Sequence, residues 1–266
     1  MAQGRMQFFS NSMKRISEFS FIIPNDVNAF EKLTNPHFTR PAKTLILLHG
    51  YSGIDTDWIW GGGNANLLSR KYNLNIIMPT AGNNFYLDRK SCNSKYGSFI
   101  YEELFDYVHK VFGLSTARED NFIGGLSMGA YGSMRIGLMH PELFSGVCAL
   151  SAPYLFDKFD KMKPGDTRGD MDYEYFCEVF GDLTKVKGSD ADIFAVLENA
   201  SKNKDALPSI YLACGTEDDL SRDNHALRDS LTAAGVKHKF EEGKGFHDWT
   251  FWNDYIQRGL DYLLEN

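Results

Sequence analysis

A chain of 266 residues with 43% hydrophobic and 24% charged side chains has the apolar content for a substantial core, and one large α/β domain over residues 1–266 accounts for its length. A net charge of −7 with no basic stripe excludes the electrostatic footprint of a nucleic-acid or anionic-lipid binder. No apolar run reaches the length of a membrane span and no signal-like apolar segment opens the chain, so a cytoplasmic protein with no membrane partner is expected.

Met1–Arg5 reads as an added leader, because Met6 could equally start the chain. Gln7–Ser10 and Lys14–Ile23 then form a hairpin turned at Asn11-Ser12 and stopped by Pro24. Thr44–Leu48, Asn75–Met78, Asn121–Ile123, Gly146–Leu150 and Ser209–Ala213 are short, continuously apolar runs, the pattern of parallel strands covered on both faces. Lys237–Glu241 alternates more and suits a strand nearer an edge. Helical patterns fill the intervals: Ser98–Phe112, ended by Gly113; Met128 to about His140, where Pro141 follows; Ser221 to Gly235, with Ser221 as cap; and a last helix lined by Trp252, Ile256, Leu260 and Leu263. The fold class is therefore α/β: a mostly parallel sheet with an antiparallel N-terminal hairpin and helices on both faces. The stretch from 154 to 205 is too long for a plain crossover and reads as a small cap-like insertion. Its two helices run over about Asp172–Phe180, ended by Gly181, and Asp190–Ala200, entered at Ser189.

Gly125-Leu126-Ser127-Met128-Gly129 is a complete GxSxG directly after a strand and before a helix. A nucleophile elbow needs that context: the turn forces the serine outward, and the flanking glycines let neighbouring chain pass close by. If Ser127 is a nucleophile, a base must follow an acid later in the chain. His225 lies within a helical pattern and His238 within a strand, whereas His247 sits in a loop after the last strand. The acid belongs after Ser209–Ala213, where Glu217, Asp218 and Asp219 are consecutive. Asp218 is preferred, although spacing separates it only weakly from Asp219. Oxyanion donors are the Met128 amide, after the serine, and the Tyr51 amide in His49-Gly50-Tyr51-Ser52-Gly53. His49 reads as loop support, not as a second base.

Trp58, Trp60, Phe85 and Tyr86 suit core or pocket wall equally, and Tyr173 and Phe176 could roof the pocket from the first cap helix. Trp58, Tyr86, Tyr173 and Phe176 are accordingly candidate pocket residues. Gly61-Gly62-Gly63 lacks the lysine and hydroxyl of a phosphate loop and reads as a flexible loop, and Asp157–Asp172 as a solvated one. Cys92, Cys148, Cys177 and Cys214 are scattered without a CxxC pair and read as free thiols; no metal site or cofactor is implied.

Taken together, LLHGYSG at Leu47–Gly53, IIMP at Ile76–Pro79, GLSMGAYGSMRIGLMHPELF at Gly125–Phe144, CGTEDDL at Cys214–Leu220 and GFHDWTFW at Gly245–Trp252 resemble the esterase D-type branch of the α/β-hydrolases. That branch includes tributyrin esterases, S-formylglutathione hydrolases, family 1 carbohydrate esterases (acetyl xylan and feruloyl esterases) and mycolyltransferases. The resemblance implies a Ser127–Asp218–His247 triad with Tyr51 and Met128 as oxyanion donors, and it is nearest to the tributyrin-esterase subgroup. A serine carboxylesterase acting on a small-molecule ester of short acyl chain is therefore expected, with a carbohydrate ester as the runner-up substrate. S-formylglutathione hydrolysis is a weaker alternative, since HGYSG departs from that subgroup's GLTCT-like loop. An inactive hydrolase-fold binding module would have lost a triad member, and transfer to an acceptor other than water uses the same triad. A homo-oligomer is compatible with the sequence.

Overall fold

The computed structural model describes residues 1–89, 93–154, 156 and 158–265. Eight strands form one sheet: β1 Ala2–Ser10, β2 Arg15–Ile23, β3 Lys43–Leu48, β4 Leu74–Pro79, β5 Asn121–Leu126, β6 Gly146–Leu150, β7 Ser209–Gly215 and β8 His238–Gly243. Their spatial order is β1-β2-β4-β3-β5-β6-β7-β8. β1 pairs antiparallel with β2, and β2 antiparallel with β4; every other pairing in the sheet is parallel.

Successive residues of a strand point to opposite faces, and here both faces are buried. Leu45, Leu47, Ile76, Met78, Tyr211 and Ala213 face one core layer, with the helices Ala65–Tyr72 and Trp249–Glu265. Ile46, Leu48, Ile77, Ile210 and Leu212 face the other, with Phe105–Phe112, Met128–Met139, Ile193–Ala200 and Ser221–Ala233. Double burial is what makes these strands continuously apolar in sequence.

Element boundaries shift in places, for identifiable reasons. The expected helix over Ser98–Phe112 contains a π-helical stretch, Phe99–Leu104, before the regular turns of Phe105–Phe112 and the left-handed Gly113. Ala65–Tyr72, unforeseen from sequence, is stopped by left-handed Asn73. Ser221 begins its helix without capping it; Leu220 holds the cap position, its amide donating to the Asp218 carboxylate. The cap helices are Tyr173–Phe180, capped by Asp172, and Ile193–Ala200, capped by Asp192 and not by Ser189. Between them and the sheet, Tyr131 donates to the Ala191 carbonyl (2.6 Å), and buried Arg135 pairs with Asp190 (2.7 Å). The charged run before them is not simply solvated: Phe159 is buried, and Thr167–Arg168 pairs with Met171–Asp172 in a two-residue ribbon. Asp157, where that run begins, and Cys92 lie outside the described residues. Cys148, Cys177 and Cys214 are free thiols. Among the described residues no helix is long and apolar enough to cross a membrane.

Residues 2–5, expected as a leader, are built into the sheet: Ala2 opposes Ile23 and Arg5 opposes Ser20. The Arg5 guanidinium grips the wholly buried Asp55 carboxylate at 2.7 and 2.8 Å, and Ser20 and Thr80 donate to the same carboxylate. Hydrogen bonds to a charged group contribute about 1.5–3 kcal/mol, and the partial exposure of Arg5 places this one at the low end. Arg5→Ala is therefore expected to lower the unfolding free energy by about 1–2 kcal/mol, read as a lower urea midpoint at unchanged slope. An unchanged midpoint would show that Asp55 is satisfied without the guanidinium.

Candidate active site

β5 carries the chain straight into the motif, so Leu126 is still strand when Ser127 turns and Met128 is already helix. Ser127 stands at φ 51°, ψ −121°, a region that non-glycine residues avoid and that costs on the order of 1–3 kcal/mol. Its amide donates to the Leu150 carbonyl of β6 (2.8 Å), which fixes the turn against the neighbouring strand. The motif glycines are there for space: a Cβ on Gly129 would sit 2.5 Å from the Leu48 carbonyl oxygen and 2.6 Å from that of His49. The loop after β3 is thus pressed against the elbow, bringing Tyr51 and Met128 together beside Ser127 in one cavity. The N-terminal end of Met128–Met139, with its partial positive charge, faces the same place.

His49 is buried beneath that loop. Its Nδ1–H donates to the Gly50 carbonyl (2.7 Å) and its Nε2 accepts from the Ala81 amide (3.0 Å), so both nitrogens are engaged and the ring is neutral. Burial pushes its imidazole below the ordinary value, against the weaker opposing effect of the Gly50 carbonyl. It supports the loop.

β7 ends at Gly215, and the turn that follows separates three consecutive acids by role. Glu217 accepts from the Gly245 amide (2.8 Å) and donates its own amide to the Gly245 carbonyl (3.0 Å), tying the acid loop to the histidine loop. Asp219 is exposed. Asp218 is buried and accepts from His247 Nδ1 (2.9 Å) and from the Leu220 amide (2.9 Å). Burial alone would raise the Asp218 carboxyl; the hydrogen bond and charge of His247, with the Leu220 amide and the Ser151 hydroxyl, hold it below the ordinary carboxylate range. The His247 ring stands edge-on to Trp252, centroids 4.8 Å apart.

Ser127, Asp218 and His247 line one open cavity of about 710 Å³, with Tyr51, Phe85, Phe156 and Phe176 among its aromatic walls. Such an arrangement suits acyl transfer through a serine. No group of three or more His, Cys, Asp or Glu side chains is placed to hold a metal among the described residues.

Against known proteins, the family described as "Putative esterase" matches residues 10–263. The acetyl esterase of Caldicellulosiruptor saccharolyticus is 36% identical over 263 residues, 99% of this chain and 98% of its own. The chain belongs to this esterase family. Two Staphylococcus aureus structures share its architecture. A fluorophosphonate-binding serine hydrolase, substrate bound, superposes with a TM-score of 0.84 at 29% identity, covering 100% of this chain and 99% of that one. An S-formylglutathione hydrolase, as the apoenzyme, gives 0.81 at 29% identity, covering 98% of each. The protein is an α/β-hydrolase and a carboxylic ester hydrolase.

Of the four pocket residues expected from sequence, the esterase places only Phe176 on the cavity. Trp58 is wholly buried, its Nε1–H donating to the Leu48 carbonyl at the end of β3 and its ring edge-on to Trp249. Tyr86 is wholly buried too, its hydroxyl donating to the His49 carbonyl. Tyr173, on the helix Tyr173–Phe180, does not line the cavity. The walls that sequence missed are the Tyr51 side chain, Pro153, Phe156, Phe246 and the ribbon turn Arg168–Met171. In the loop Gly61-Gly62-Gly63 the amides of Gly61 and Gly63 both donate to the Asp57 carbonyl, and Gly62, at φ +126°, packs on the Trp249 ring.

The lowered His49 value has a consequence for pH. The unfolded chain takes up a proton on this imidazole near pH 6.5, the native state only at lower pH. Its contribution to stability is therefore complete above 6.5 and is lost as pH falls toward the native value. A glutamine can donate to Gly50 and accept from Ala81 without titrating. Between about pH 7.5 and about pH 5.5, the urea midpoint of His49→Gln should fall less than that of the native protein. Equal falls would assign the acid sensitivity to other groups.

Proposed function

We propose that the esterase hydrolyses short-chain acyl esters through an acyl-enzyme on Ser127, with His247 as general base and Asp218 as its anchor. The observation that carries this reading is the Asp218–His247 hydrogen bond on the same cavity as a serine held in an elbow conformation. Asp218 engages Nδ1, which leaves Nε2 to take the proton as Ser127 Oγ attacks the ester carbon. The Met128 and Tyr51 amides receive the oxyanion. Collapse expels the alcohol, protonated by His247, and leaves an acyl group on the serine. Water then gives its proton to His247, attacks the acyl carbon, and releases the acid with Ser127 regenerated.

The acetyl esterase relative supports a small acyl group. The aromatic walls of Phe85, Phe156 and Phe176 favour a second reading, an aromatic acyl group such as a hydroxycinnamoyl ester of a sugar. In either case residues 154–205 act as a cap, since Phe156, Phe176 and the ribbon turn all face the cavity. We further propose a cytoplasmic location, on the strength of the free thiols.

Ser127→Ala should lose on the order of 10⁴–10⁶ in kcat while remaining folded, because triad members act as a unit. Asp218→Asn should lose on the order of 10³–10⁴ by favouring the wrong imidazole tautomer, with Asp219→Asn near native. Esterase kinetics on purified variants check both; a tenth of native activity in Ser127→Ala would place the nucleophile elsewhere. Phe176→Ala should shift preference toward bulkier acyl groups by about 1–3 kcal/mol, measured as kcat/KM ratios across acetyl, butyryl, octanoyl and feruloyl esters. An unchanged profile would confine Phe176 to packing.

A further inference from the structure

A second cavity, of about 540 Å³, adjoins the catalytic one at Arg168, the ribbon residue that lines both. Its walls come from three places: the short helical turn Phe159–Lys161 with Lys158 before it, the ribbon strand Thr167–Arg168, and the first turn of the helix Ser221–Ala233. Each brings positive charge, through Lys158 and Lys161, through Arg168, and through Arg222. Two carboxylates share the walls, and both are held by backbone. Asp166 accepts from the Lys163 amide (2.9 Å), and buried Asp223 accepts from the Tyr154 amide (2.7 Å). Four cations against two anions leave this cavity positive in a chain whose net charge is −7. The protein as a whole gives an anion no general attraction, so the cluster is a local reversal of sign. The helix acts in the same sense. Its N-terminal end carries partial positive charge, and Leu220 at the cap position has no side-chain oxygen to offer the first-turn amides. Buried Phe159 and half-buried Met162 add apolar wall between the charges.

We propose that this cavity is an anion subsite for the alcohol half of the ester, taking a carboxylate or phosphate carried by that alcohol while the ester carbon lies at Ser127. This rests on the triad reading above and deepens it by naming a substrate class: acyl esters of hydroxy acids or of alcohol phosphates. The side follows from the chemistry. The departing alcohol oxygen must lie within reach of His247, which protonates it, so the alcohol half starts beside the histidine and acid loops. The chain from Asp218 leads the same way: Leu220 lines the catalytic cavity, and Arg222, two residues on, lines the second. Arg168 stands on the wall common to both. A carboxylate or phosphate presents several acceptor oxygens, which suit two guanidinium forks and two ammonium groups converging from separate segments. A neutral short-chain ester occupies the catalytic cavity alone and gains nothing from these charges.

The test compares acetyl esters of simple alkanols with acetyl esters of ω-hydroxy acids and of ω-hydroxyalkyl phosphates over a matched range of chain lengths, scored as kcat/KM by acetate release. At low salt, and at the chain length that spans the two cavities, an anionic ester should exceed its neutral counterpart by about tenfold. That ratio should shrink as ionic strength rises from about 0.01 M to about 0.15 M, because screening weakens exposed charges. The larger ratio identifies carboxylate or phosphate as the preferred anion. In the double variant Lys158→Gln with Lys161→Gln, and separately in Arg168→Gln, the ratio should fall toward parity. All three side chains are exposed, so their replacement leaves the core intact. Parity at every chain length in the native enzyme would overturn the proposal, as would a ratio retained in both variants. A preference confined to esters with the anion on the acyl half, such as alkyl hemisuccinates, would overturn the assignment to the alcohol. Ser127→Ala on the neutral esters separates the two levels. If it is active, the triad reading itself fails; if it is inactive and the native enzyme treats neutral and anionic esters alike, only the subsite fails.

Discussion

The hydrogen bond from the Ser127 amide to the Leu150 carbonyl lets the rest of the site be a matter of strand order. It closes the elbow against β6, so the serine is fixed by the sheet and not by its own loop. β6 in turn lies beside β7, whose end delivers Asp218, and β7 lies beside β8, whose end leads to His247. Ser127 and Asp218 follow strands two places apart in the sheet and His247 follows the next one over, and the parallel direction brings all the ends out on one side. A strained serine persists there because the flanking strands are doubly buried and cannot relax with it.

This explains what could and could not be read from the sequence. Strands buried on both faces have no room for polar residues, so Leu45–Leu48, Ile76–Met78 and Ile210–Ala213 announced themselves as apolar runs. The elbow was equally legible, because the glycine before the serine must clear the backbone of Gly129 and the one after it the carbonyls of Leu48 and His49. His247 followed from position alone: the other two late histidines lie in the helix Ser221–Ala233 and in β8. Among Glu217, Asp218 and Asp219 the sequence could not decide with force, since the choice depends on which way a turn rotates. Glu217 looks equally able until its carboxylate is found on the Gly245 amide.

The pocket walls were the least legible part. Trp58 and Tyr86 sit in the right loops and have the right chemistry, but each ring turns inward to satisfy a backbone carbonyl at the end of β3 or just after it. That choice is set by partners far away in sequence, such as Trp249 against Trp58. Phe156 and the ribbon turn carried no comparable signal. Ala65–Tyr72 escaped notice for a related reason, since its inward face is short and includes Ala65 and Ser69 beside Leu68 and Tyr72.

The segment that supplies one side of the cavity is attached unevenly. Its later part is fastened to the buried helix Met128–Met139 through Tyr131 and Arg135, whereas the ribbon residues 168–170 reach the cavity while largely exposed to solvent. Side chains in the ribbon therefore border the cavity without being components of the core, so exchanging them reshapes its rim with little penalty in folding free energy. The exposed rim of the cavity and the buried elbow beneath it thus belong to different parts of one chain. A fold arranged in this way can change the rim of its cavity by drift at a surface turn while Ser127, Asp218 and His247 stay unchanged.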